Sequence, residues 1–165
     1  MPKEIQLTQG QVAIVDDWRF EELNQHKWCA VWNSVMQKYY ATRRQRSSLG
    51  KQESILMHVV VNRTPKGMMT DHRNGDTLYN CEENLRVCTN SQNQMNRGKS
   101  TNNTSGYKGV SIHRDAWQAL IHIDGKTIHL KYWPTAEQAA RAYDDAAERL
   151  FGEFAVLNFP RLDKT

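Results

Sequence analysis

The polar segment at residues 70–97 constrains this chain more than any other, because it gathers ionisable and amide side chains that a structural core does not need. An aspartate and a histidine are adjacent at Asp71 and His72. Two asparagines follow, Asn84 in the run EENLR and Asn93 in the run TNSQNQ. A site that holds a hard cation and activates a water needs such a set, so we expect this segment to form an active site.

The chemistry that these groups offer is phosphodiester hydrolysis. Such hydrolysis needs a base for the attacking water and compensation of charge on the phosphate and the leaving oxygen. His72 has a suitable intrinsic pKa for that base near neutral pH. Asp71 and Asn93 supply oxygen donors, which suit magnesium better than zinc. Few acidic residues lie nearby in the sequence, with Asp76 as the one extra ligand to consider, so the pattern favours a single metal ion.

Local sequence signals place these residues on two strands and a helix. Residues 68–73 indicate a strand that leads into an Asn-Gly turn at 74–75, and residues 84–88 indicate a second strand. Thr89 followed by Gln92 forms a capping box, which predicts a helix that carries Asn93. Neighbouring residues on a regular strand point to opposite faces, so Asp71 and His72 share a site only if the strand ends or kinks between them.

The order Asp-His, then asparagine in an NLR run, then asparagine in an SQN run resembles the HNH nuclease motif of phage intron-encoded homing endonucleases. The resemblance implies a ββα-metal fold in which His72 is the general base. It implies that Asp71 and Asn93 bind a metal ion, Mg²⁺ or Mn²⁺. It also places Asn84 among the catalytic residues, as the side chain that braces the loop.

Two positions depart from that family pattern. Residues 79–81 are Tyr-Asn-Cys where family members often carry Asp-Asn-Arg, and Val59 stands where Arg commonly follows the histidine at His58. Neither position belongs to the catalytic set, so we expect weaker DNA contacts rather than a lost active site. Residues 55–62 are apolar and predicted to be helical, and a histidine on such a segment is most often a core residue, which is our interpretation of His58.

The charge of the chain favours a polyanionic partner. Its 165 residues carry a formal net charge of +4 at pH 7. Basic residues cluster without acids at residues 38–51 and again at residues 97–114, on either side of the HNH-like segment, so we favour contact with phosphates. The DNA-contact residues expected from these clusters are Arg43, Arg44, Arg46, Arg97, Lys99, Lys108 and Arg114.

The cysteines and the amino-terminal residues indicate the cellular compartment in which the protein is expected to act. The chain has three cysteines, and this odd number argues against a disulfide framework. No Cys-x-x-Cys pair exists, so structural zinc is not expected. The first ten residues lack the apolar core of a signal peptide, and no stretch approaches a membrane span. We therefore expect a cytoplasmic protein, in a bacterial or phage-infected cell, with no membrane contact.

The carboxy-terminal part of the chain predicts a separate sheet and helix. Three strands are indicated at residues 107–112, 116–123 and 126–132, and the Asp-Gly pair at 124–125 is a strong hairpin turn. A capping box at Thr135 predicts the start of one long helix, and a glycine predicts its end.

Strand alternation then divides the side chains of this sheet between two faces. Along the third strand, Ile128, Leu130 and Tyr132 are predicted to lie on one side and the intervening polar residues on the other. The open face is predicted to carry the DNA-contact residues Ser111, His113, His122, Thr127, His129 and Lys131.

The runs YKGVS, TAEQAARAYDDAAERLFGEF and LNFP in this region resemble the Apetala-type DNA-binding domain of plant ethylene-response factors. The resemblance implies that the sheet enters the major groove and contacts base edges. Plant members carry several arginines on this face, whereas this chain carries serine, threonine and histidines, so their base preference is not transferred. Lys131 also replaces the usual glycine before the last aromatic residue of the third strand.

Together these patterns predict an α+β protein with two different domains. A small ββα-metal (HNH) nuclease domain is expected at residues 1–97, a linker at 98–106, an Apetala-type domain at 107–160 and a tail at 161–165. In the second domain a three-stranded antiparallel sheet packs on one helix.

The predicted function is that of a site-specific DNA endonuclease of homing type, phage- or intron-encoded. It is expected to bind double-stranded DNA as a monomer and to nick one strand. One alternative is a DNA-binding regulator whose HNH motif is inactive. Another is an RNA-binding or RNA-processing protein, against which the absence of a clear aromatic stacking platform counts.

Overall fold

The structure is a computed structural model, and it describes residues 1–47 and 50–160. The predicted tail, residues 161–165, lies outside the described residues. By their contacts the residues form two compact units, Met1–Thr89 and Asn90–Thr165. The sequence placed the end of the first domain at residue 97, whereas the two units divide before the helix that carries Asn93.

The first unit combines short antiparallel sheets with two helices. Its sheets are the pair β1–β2, the three-stranded β3–β4–β5 and the pair β6–β7. In chain order its elements are β1 (Lys3–Gln6), β2 (Val12–Val15), α1 (Asp17–Asn24), β3 (Cys29–Asn33), β4 (Lys38–Arg46), β5 (Gln52–Leu56), α2 (Met57–Val61), β6 (Met69–His72) and β7 (Leu85–Cys88). This arrangement confirms the general α+β prediction of small antiparallel sheets with few helices.

One apolar cluster joins these elements. Trp28 is 2 % exposed, and its indole Nε1–H donates a hydrogen bond of 2.8 Å to the carbonyl oxygen of Leu23. The cluster consists of Ile5, Ala13, Val15, Leu23, Trp28, Ala41, Met57, Val61 and Leu85. Because Leu85 pairs with His72 across the β6–β7 hairpin, the core directly anchors the hairpin that carries the HNH-like residues.

Two elements of the first unit differ from the sequence prediction. The apolar residues at positions 7, 12, 14 and 15 predict a single strand over residues 6–15. In the structure the chain instead reverses at Gln9 and Gly10, whose φ values are 58° and 66°. The result is the β1–β2 hairpin, closed by a hydrogen bond from Leu7 N to Gln11 O. The predicted helix at residues 55–62 is also wrong in its first part, because residues 55–56 still belong to β5.

The second unit consists of a short helix, a three-stranded sheet and a long helix. The sheet has the order β10–β9–β8 and is antiparallel throughout. The elements are α3 (Asn90–Met95), β8 (Val110–His113), β9 (Ala116–Ile123), β10 (Lys126–Trp133) and α4 (Ala136–Phe151). At the start of α4 the Thr135 hydroxyl accepts a hydrogen bond from Gln138 N, as the capping box predicts.

Small side chains let α4 lie close to the sheet. The helix residues Ala139, Ala140 and Ala147 are fully buried, and on β9 the facing residues Ala119 and Ile121 are buried with them. Ala119 and Ile121 alternate along β9, so one face of the sheet packs against α4. The opposite face of the sheet is therefore the one left open.

The LNFP run near the carboxyl terminus ties α4 to the chain that precedes β8. Asp144 is buried in α4, and its carboxylate oxygens accept hydrogen bonds from the backbone N–H of Asn158 and of Phe159. The Asn158 amide in turn bonds both the N–H and the carbonyl oxygen of Lys108. These bonds fix the residues just before β8.

The predicted linker at residues 98–106 is folded into turns rather than extended. Asn103 N donates to the carbonyl oxygen of Ser100, and the Asn103 side chain bonds Gly106 N and Tyr107 O. The Ser105 hydroxyl donates to Val110 O at 2.8 Å. The amide and hydroxyl side chains that make this segment polar are thus the groups that hold its turns.

A bulge in β10 changes which side chains share the open face. His129 pairs with Leu120 on β9, but Tyr132 then pairs with Gln118, so the register shifts between residues 129 and 132. Tyr132 therefore lies on the outer face with Gln118, and its predicted place beside Ile128 is wrong. Strict alternation cannot anticipate such a bulge, because the extra residue reverses the faces beyond it.

Lys131 occupies a backbone conformation that favours glycine. Its φ is +77°, and its N–H donates to Nδ1 of His129 at 3.2 Å. A residue with a Cβ is strained in this region, which accounts for the glycine that the Apetala-type domains usually carry at this place.

Replacing Lys131 with glycine is therefore expected to stabilise the second unit by about 0.5–1 kcal/mol, since the substitution removes backbone strain at an exposed position. Chemical denaturation of the two proteins measures the difference. Lys126→Gly on the same strand is the matched control and should lower stability, because its φ is not in the left-handed region. A loss of stability in Lys131→Gly equal to that of the control would contradict this account.

Candidate active site and nucleic-acid interface

The β6–β7 hairpin presents Asp71 and His72 at the end of a strand. Both residues are buried, with exposed fractions of 5 % and 4 %. In the antiparallel register Asp71 lies opposite Arg86, and His72 lies opposite Leu85. The strand does not end between these two residues. It ends after His72, where Gly75 N donates a hydrogen bond to His72 O and a turn begins.

His72 lies in a buried environment with an aromatic neighbour on one side. Its ring is 4.9 Å from the His58 ring in an edge-on arrangement, and the His58 ring is 5.8 Å from Tyr40. On another side, Nε2 of His72 lies 3.3 Å from Oδ1 of Asn80. Burial lowers the pKa of His72 below its ordinary value, while Asn80 and the nearby Asp71 carboxylate act in the opposite direction. A lowered pKa keeps the imidazole neutral near pH 7, which is the form that accepts a proton.

Asn84 holds the loop that returns from His72 to β7. Its Oδ1 accepts a hydrogen bond from Asn74 N at 3.0 Å, and its Nδ2 donates to Tyr79 O at 2.8 Å. Its backbone carbonyl accepts from Arg73 N at 2.8 Å. The side chain therefore holds the loop in shape, whereas its place among the catalytic residues stays a prediction of the resemblance.

Asp71 forms a buried ion pair that the sequence analysis did not identify. Both Nε and Nη2 of Arg86 lie 2.8 Å from Oδ2 of Asp71, and Arg86 is buried as well. The signal available in the sequence was an arginine within a short strand whose neighbours Leu85 and Cys88 are apolar. A buried arginine needs a charged partner, and only the strand register identifies it.

The donor chemistry of Asp71 fits a hard divalent cation. Carboxylate oxygens are the usual ligands of Mg²⁺ and Mn²⁺, and Mg²⁺ typically keeps several waters beside one or two protein ligands. A carboxylate has about four lone-pair directions, so the contacts of Arg86 on Oδ2 are compatible with a cation on the same group. Within residues 1–47 and 50–160, no cluster of three or more His, Cys, Asp or Glu side chains is arranged to hold a metal ion.

The other predicted ligand, Asn93, lies in the second unit. It is a half-buried residue of α3, the six-residue helix that follows the β6–β7 hairpin in the chain. That helix is fixed within the second unit, where Lys108 Nζ donates to Met95 O at 2.6 Å and the Ser91 hydroxyl donates to Asp124 Oδ1 at 3.1 Å. The role of Asn93 as a ligand stays a prediction of the resemblance.

His58 makes the stability of the first unit dependent on pH. Burial lowers the pKa of His58 from its ordinary 6.5 to about 3, and the neighbouring His72 adds to the shift. Below about pH 6.5, His58 therefore binds a proton in the unfolded chain but stays neutral in the folded chain. Stability from this group is fully present above pH 6.5 and falls by up to about 1.4 kcal/mol per pH unit toward pH 3.

The expected result is a steeper fall in unfolding free energy between pH 6 and pH 4.5 for the wild type than for His58→Phe. Phenylalanine keeps an aromatic ring beside Tyr40 and has no titrating group. Urea denaturation at several pH values gives the two slopes, and the slopes are compared rather than the absolute stabilities. Equal slopes would show that His58 is protonated in the folded protein.

The first basic cluster divides between the two faces of β4. Arg44 and Arg46 are exposed and alternate with Tyr40, so they lie on the strand face whose tyrosine contacts His58. Arg43 lies on the other face, half-buried with its guanidinium 5.6 Å from the centre of the Trp28 ring. The contact with Trp28 gives Arg43 a packing role that its neighbours lack.

The open face of the second sheet carries the predicted polar residues in hydrogen-bonded pairs. Thr127 Oγ1 and His122 Nδ1 are 2.8 Å apart, and Gln118 Nε2 donates to Ser111 Oγ at 3.1 Å. The His129 ring is 4.5 Å from the Tyr132 ring.

Two further predicted contacts, His113 and Lys131, are also exposed on this sheet. The His113 ring lies 5.4 Å from the Tyr132 ring. Tyr132 itself is 53 % exposed and was missed as a face residue, because the bulge in β10 brings it there.

Two residues of the second basic cluster, Arg97 and Lys108, line a groove in the second unit. The groove has a volume of about 640 Å³, and Arg97, Lys108 and His122 are among the residues that line it. Lys108 is half-buried, and burial lowers the pKa of its amine to about 8. Arg97, Lys99 and Arg114 are exposed, and Lys99 Nζ donates to Gly106 O. Within the described residues, no helix is both long and apolar enough to cross a membrane.

Comparisons with known proteins relate the chain to viral, phage and plant proteins. No family model matches the chain. It is 38 % identical over 101 residues to the uncharacterized HNH endonuclease L560 of Acanthamoeba polyphaga mimivirus, an alignment that covers 61 % of this chain and 52 % of that protein. It is 33 % identical over 93 residues to protein 3.8 of Escherichia phage T7, covering 55 % of this chain and 76 % of that protein.

A plant protein is also similar to part of the chain. The dehydration-responsive element-binding protein 2A of Arabidopsis thaliana is 51 % identical over 70 residues, which are 41 % of this chain and 21 % of that protein. The chain therefore spans 52 % of the length of the mimivirus relative and 21 % of the plant relative. Its relatives include an HNH endonuclease and a plant protein named for the element it binds.

Proposed function

We propose that this chain is a DNA endonuclease that uses a histidine general base and a divalent metal ion. The chain belongs to the family of protein 3.8 of Escherichia phage T7. The observation that carries the proposal is the environment of His72. A buried imidazole with a lowered pKa lies next to a carboxylate, at the end of a strand and facing a braced loop. The partial similarity to a mimivirus HNH endonuclease supports the same class of activity.

In the proposed reaction His72 takes a proton from the water that attacks the scissile phosphate. Asp71 would hold Mg²⁺ or Mn²⁺, and Asn93 is the second ligand predicted by the HNH resemblance. The bound metal would supply charge compensation on the phosphate and on the leaving 3′ oxygen. Asn84 keeps the loop in shape, so that the base stays in one orientation.

We propose that the second unit selects the DNA site. Its sheet carries polar donors and acceptors at the half-buried Ser111 and at the exposed His122 and Thr127, and such a sheet can contact base edges in the major groove. Exposed cations such as Arg97 and Arg114 would bind phosphates and position the sheet. The similarity to a plant element-binding protein supports this role, whereas the base sequence that is bound is not transferred.

We further propose that the protein is a monomeric nicking enzyme of homing type. The chain offers one HNH-like residue set, and its two units differ, so one molecule suits an asymmetric site. The strands of a duplex run antiparallel, so in-line attack on the second strand needs a second active site or a rotated complex. A measured mass of the bound complex that corresponds to two chains would contradict the monomer.

The alternative function, a DNA-binding regulator with an inactive HNH motif, is favoured by one specific observation. Arg86 already compensates the negative charge of Asp71 through two contacts on the same oxygen. If this pair excluded the cation, the protein would bind DNA and leave it intact. Endonuclease activity is the better supported function, because a mere binding protein has no need for a neutral, buried histidine beside that carboxylate.

Incubation of the purified protein with supercoiled plasmid separates the two functions. The endonuclease should convert the plasmid to open circles in the presence of Mg²⁺ or Mn²⁺, and EDTA should stop the conversion. Competition between duplex DNA and RNA of the same sequence should favour the duplex DNA. Binding without any conversion at any metal concentration would establish the regulator instead.

A further inference from the structure

We propose that Lys38 is a catalytic residue whose ammonium group contacts the scissile phosphate and balances the negative charge that develops there during hydrolysis. The inference rests on the proposed function, because it assigns a further residue to that reaction. It goes beyond that function because Lys38 belongs neither to the HNH-like set nor to the DNA contacts expected from the basic clusters.

The Lys38 side chain reaches the turn that directly follows His72. Its Nζ donates a hydrogen bond to the carbonyl oxygen of Gly75, and Gly75 N in turn donates to His72 O at 2.9 Å. A second bond joins the same loop to the start of β4, because the Thr77 hydroxyl donates to Tyr39 O. These bonds hold the first residues of β4 beside the end of β6.

The turn between β3 and β4 fixes the backbone of Lys38 from the other side. Lys38 pairs with Asn33 across the hairpin. The Asn33 side chain orders the turn itself, because its Oδ1 accepts hydrogen bonds from Val35 N and Met36 N, both at 3.0 Å. Lys38 therefore extends from a fixed backbone, and its cation is held at a defined place next to the HNH-like hairpin.

Lys38 also lies on the face of β4 that contacts the histidines of the site. Residues two apart on a strand share a face, so Lys38 and Tyr40 point to the same side. The Tyr40 ring is 5.8 Å from the His58 ring, which is 4.9 Å from the His72 ring. Arg44 lies on this face too, but about 20 Å from Lys38 at roughly 3.3 Å per residue, so the two cations contact different phosphates.

The Lys38 ammonium keeps donors and charge for a ligand. The side chain is exposed, and a lysine has three N–H donors, of which Gly75 O takes one. A carbonyl oxygen holds the group without neutralising its charge. The neighbouring carboxylate of Asp76 accepts a hydrogen bond from Leu78 N at 3.0 Å. A phosphate oxygen of DNA is the ligand that suits such an exposed, tethered cation.

The contribution expected of Lys38 is electrostatic. In the proposed reaction the water oxygen bonds to phosphorus, the bond to the 3′ oxygen breaks, and the water proton passes to the base. Negative charge grows on the phosphate and leaving oxygens in this step, so a cation already held there lowers the barrier. Lys38 keeps its own protons throughout.

The test compares Lys38→Gln and Lys38→Arg with the wild type in the full-length chain, on duplex DNA that contains the mapped cut site. Glutamine keeps an N–H donor for Gly75 but has no charge, whereas arginine keeps both. We expect the maximal single-turnover rate of Lys38→Gln to fall roughly 10- to 100-fold, less than for a buried donor because solvent screens an exposed charge. Lys38→Arg should retain most of the rate.

Lys27→Gln is the control, because it removes the same charge from another exposed position of the first unit and should cleave at the wild-type rate. Binding in EDTA at several salt concentrations then measures the phosphate contact separately from cleavage. Loss of one contact in Lys38→Gln should flatten the slope of log affinity against log salt concentration by about 0.9. Circular dichroism checks the fold, and Lys38→Met replaces the glutamine variant if that variant does not fold.

Each part of the inference can fail by itself. A folded Lys38→Gln with the wild-type rate and the wild-type slope would overturn it and leave the proposed function intact. A flattened slope with an unchanged rate would overturn the catalytic role, because the contact would then be to a phosphate outside the scissile group. A wild type that binds DNA and leaves it intact with metal present would instead overturn the proposed function.

Discussion

Replacing Gly109 with alanine is expected to unfold the second unit. A Cβ at this position would lie 2.1 Å from Cδ2 of Tyr143 and 2.8 Å from the carbonyl oxygen of Leu120. Tyr143 is buried in α4 and cannot withdraw without displacing the helix, and Leu120 N is bonded to the Gly109 carbonyl at 2.7 Å. The φ of Gly109 is +74°, so an alanine would be strained even without the overlap.

The expected loss exceeds about 4 kcal/mol, which is among the largest effects of single substitutions and comparable with the whole stability of a small domain. Gly125→Ala is the matched control, because Gly125 has φ +72° but nothing within 4 Å of an added Cβ. It should cost only the backbone strain, about 1 kcal/mol. Thermal unfolding and DNA binding are measured for both variants. A Gly109→Ala protein as stable as the control would contradict the packing described for β8 and α4.

Replacing His72 with alanine is expected to lower the rate of DNA cleavage roughly 10²- to 10⁴-fold, the usual contribution of a general base. DNA affinity should stay within about a factor of two, because phosphate contacts from arginine and lysine supply most of the binding energy and a neutral imidazole supplies little. Binding is measured by gel shift and cleavage under single-turnover conditions on the same preparation. His26→Ala changes an exposed histidine and serves as the control.

A His72→Ala protein that binds DNA normally and cleaves at the wild-type rate would remove His72 as the base. A variant that loses both binding and secondary structure would indicate a folding defect, so circular dichroism accompanies the measurement. His72→Gln then provides a second variant of closer size. It should fold and bind, and it should be as deficient in cleavage as the alanine variant.

Structural elements that depend on neighbouring residues could be predicted from the local sequence. The cap at Thr135 and the Asp-Gly turn between β9 and β10 involve neighbouring residues, and both were predicted. By contrast, the break at Gln9 and Gly10 interrupts an apolar run without a strong turn signal, so the sequence alone suggested one strand.

The site was predictable in its residue types but not in its contacts. Asp71 and His72 were identified because a carboxylate suits a hard cation and an imidazole suits a base, whereas Arg86 reaches Asp71 only through the register of β6 and β7. Asn80 reaches His72 because a loop is bound along β2, which no local pattern records. The exposure of Tyr132 similarly depends on a bulge that reverses the faces of β10.

The most direct test of the central claim is a single-turnover digestion of duplex DNA by the wild-type protein, with each strand labelled separately and the products resolved on a denaturing gel. The DNA is taken from a site mapped by plasmid cleavage. We expect a metal-dependent cut in one strand only, absent with EDTA and lost in His72→Ala although the variant remains bound. Intact strands in a saturated complex with Mg²⁺ or Mn²⁺, or a cut that persists in His72→Ala, would contradict the account.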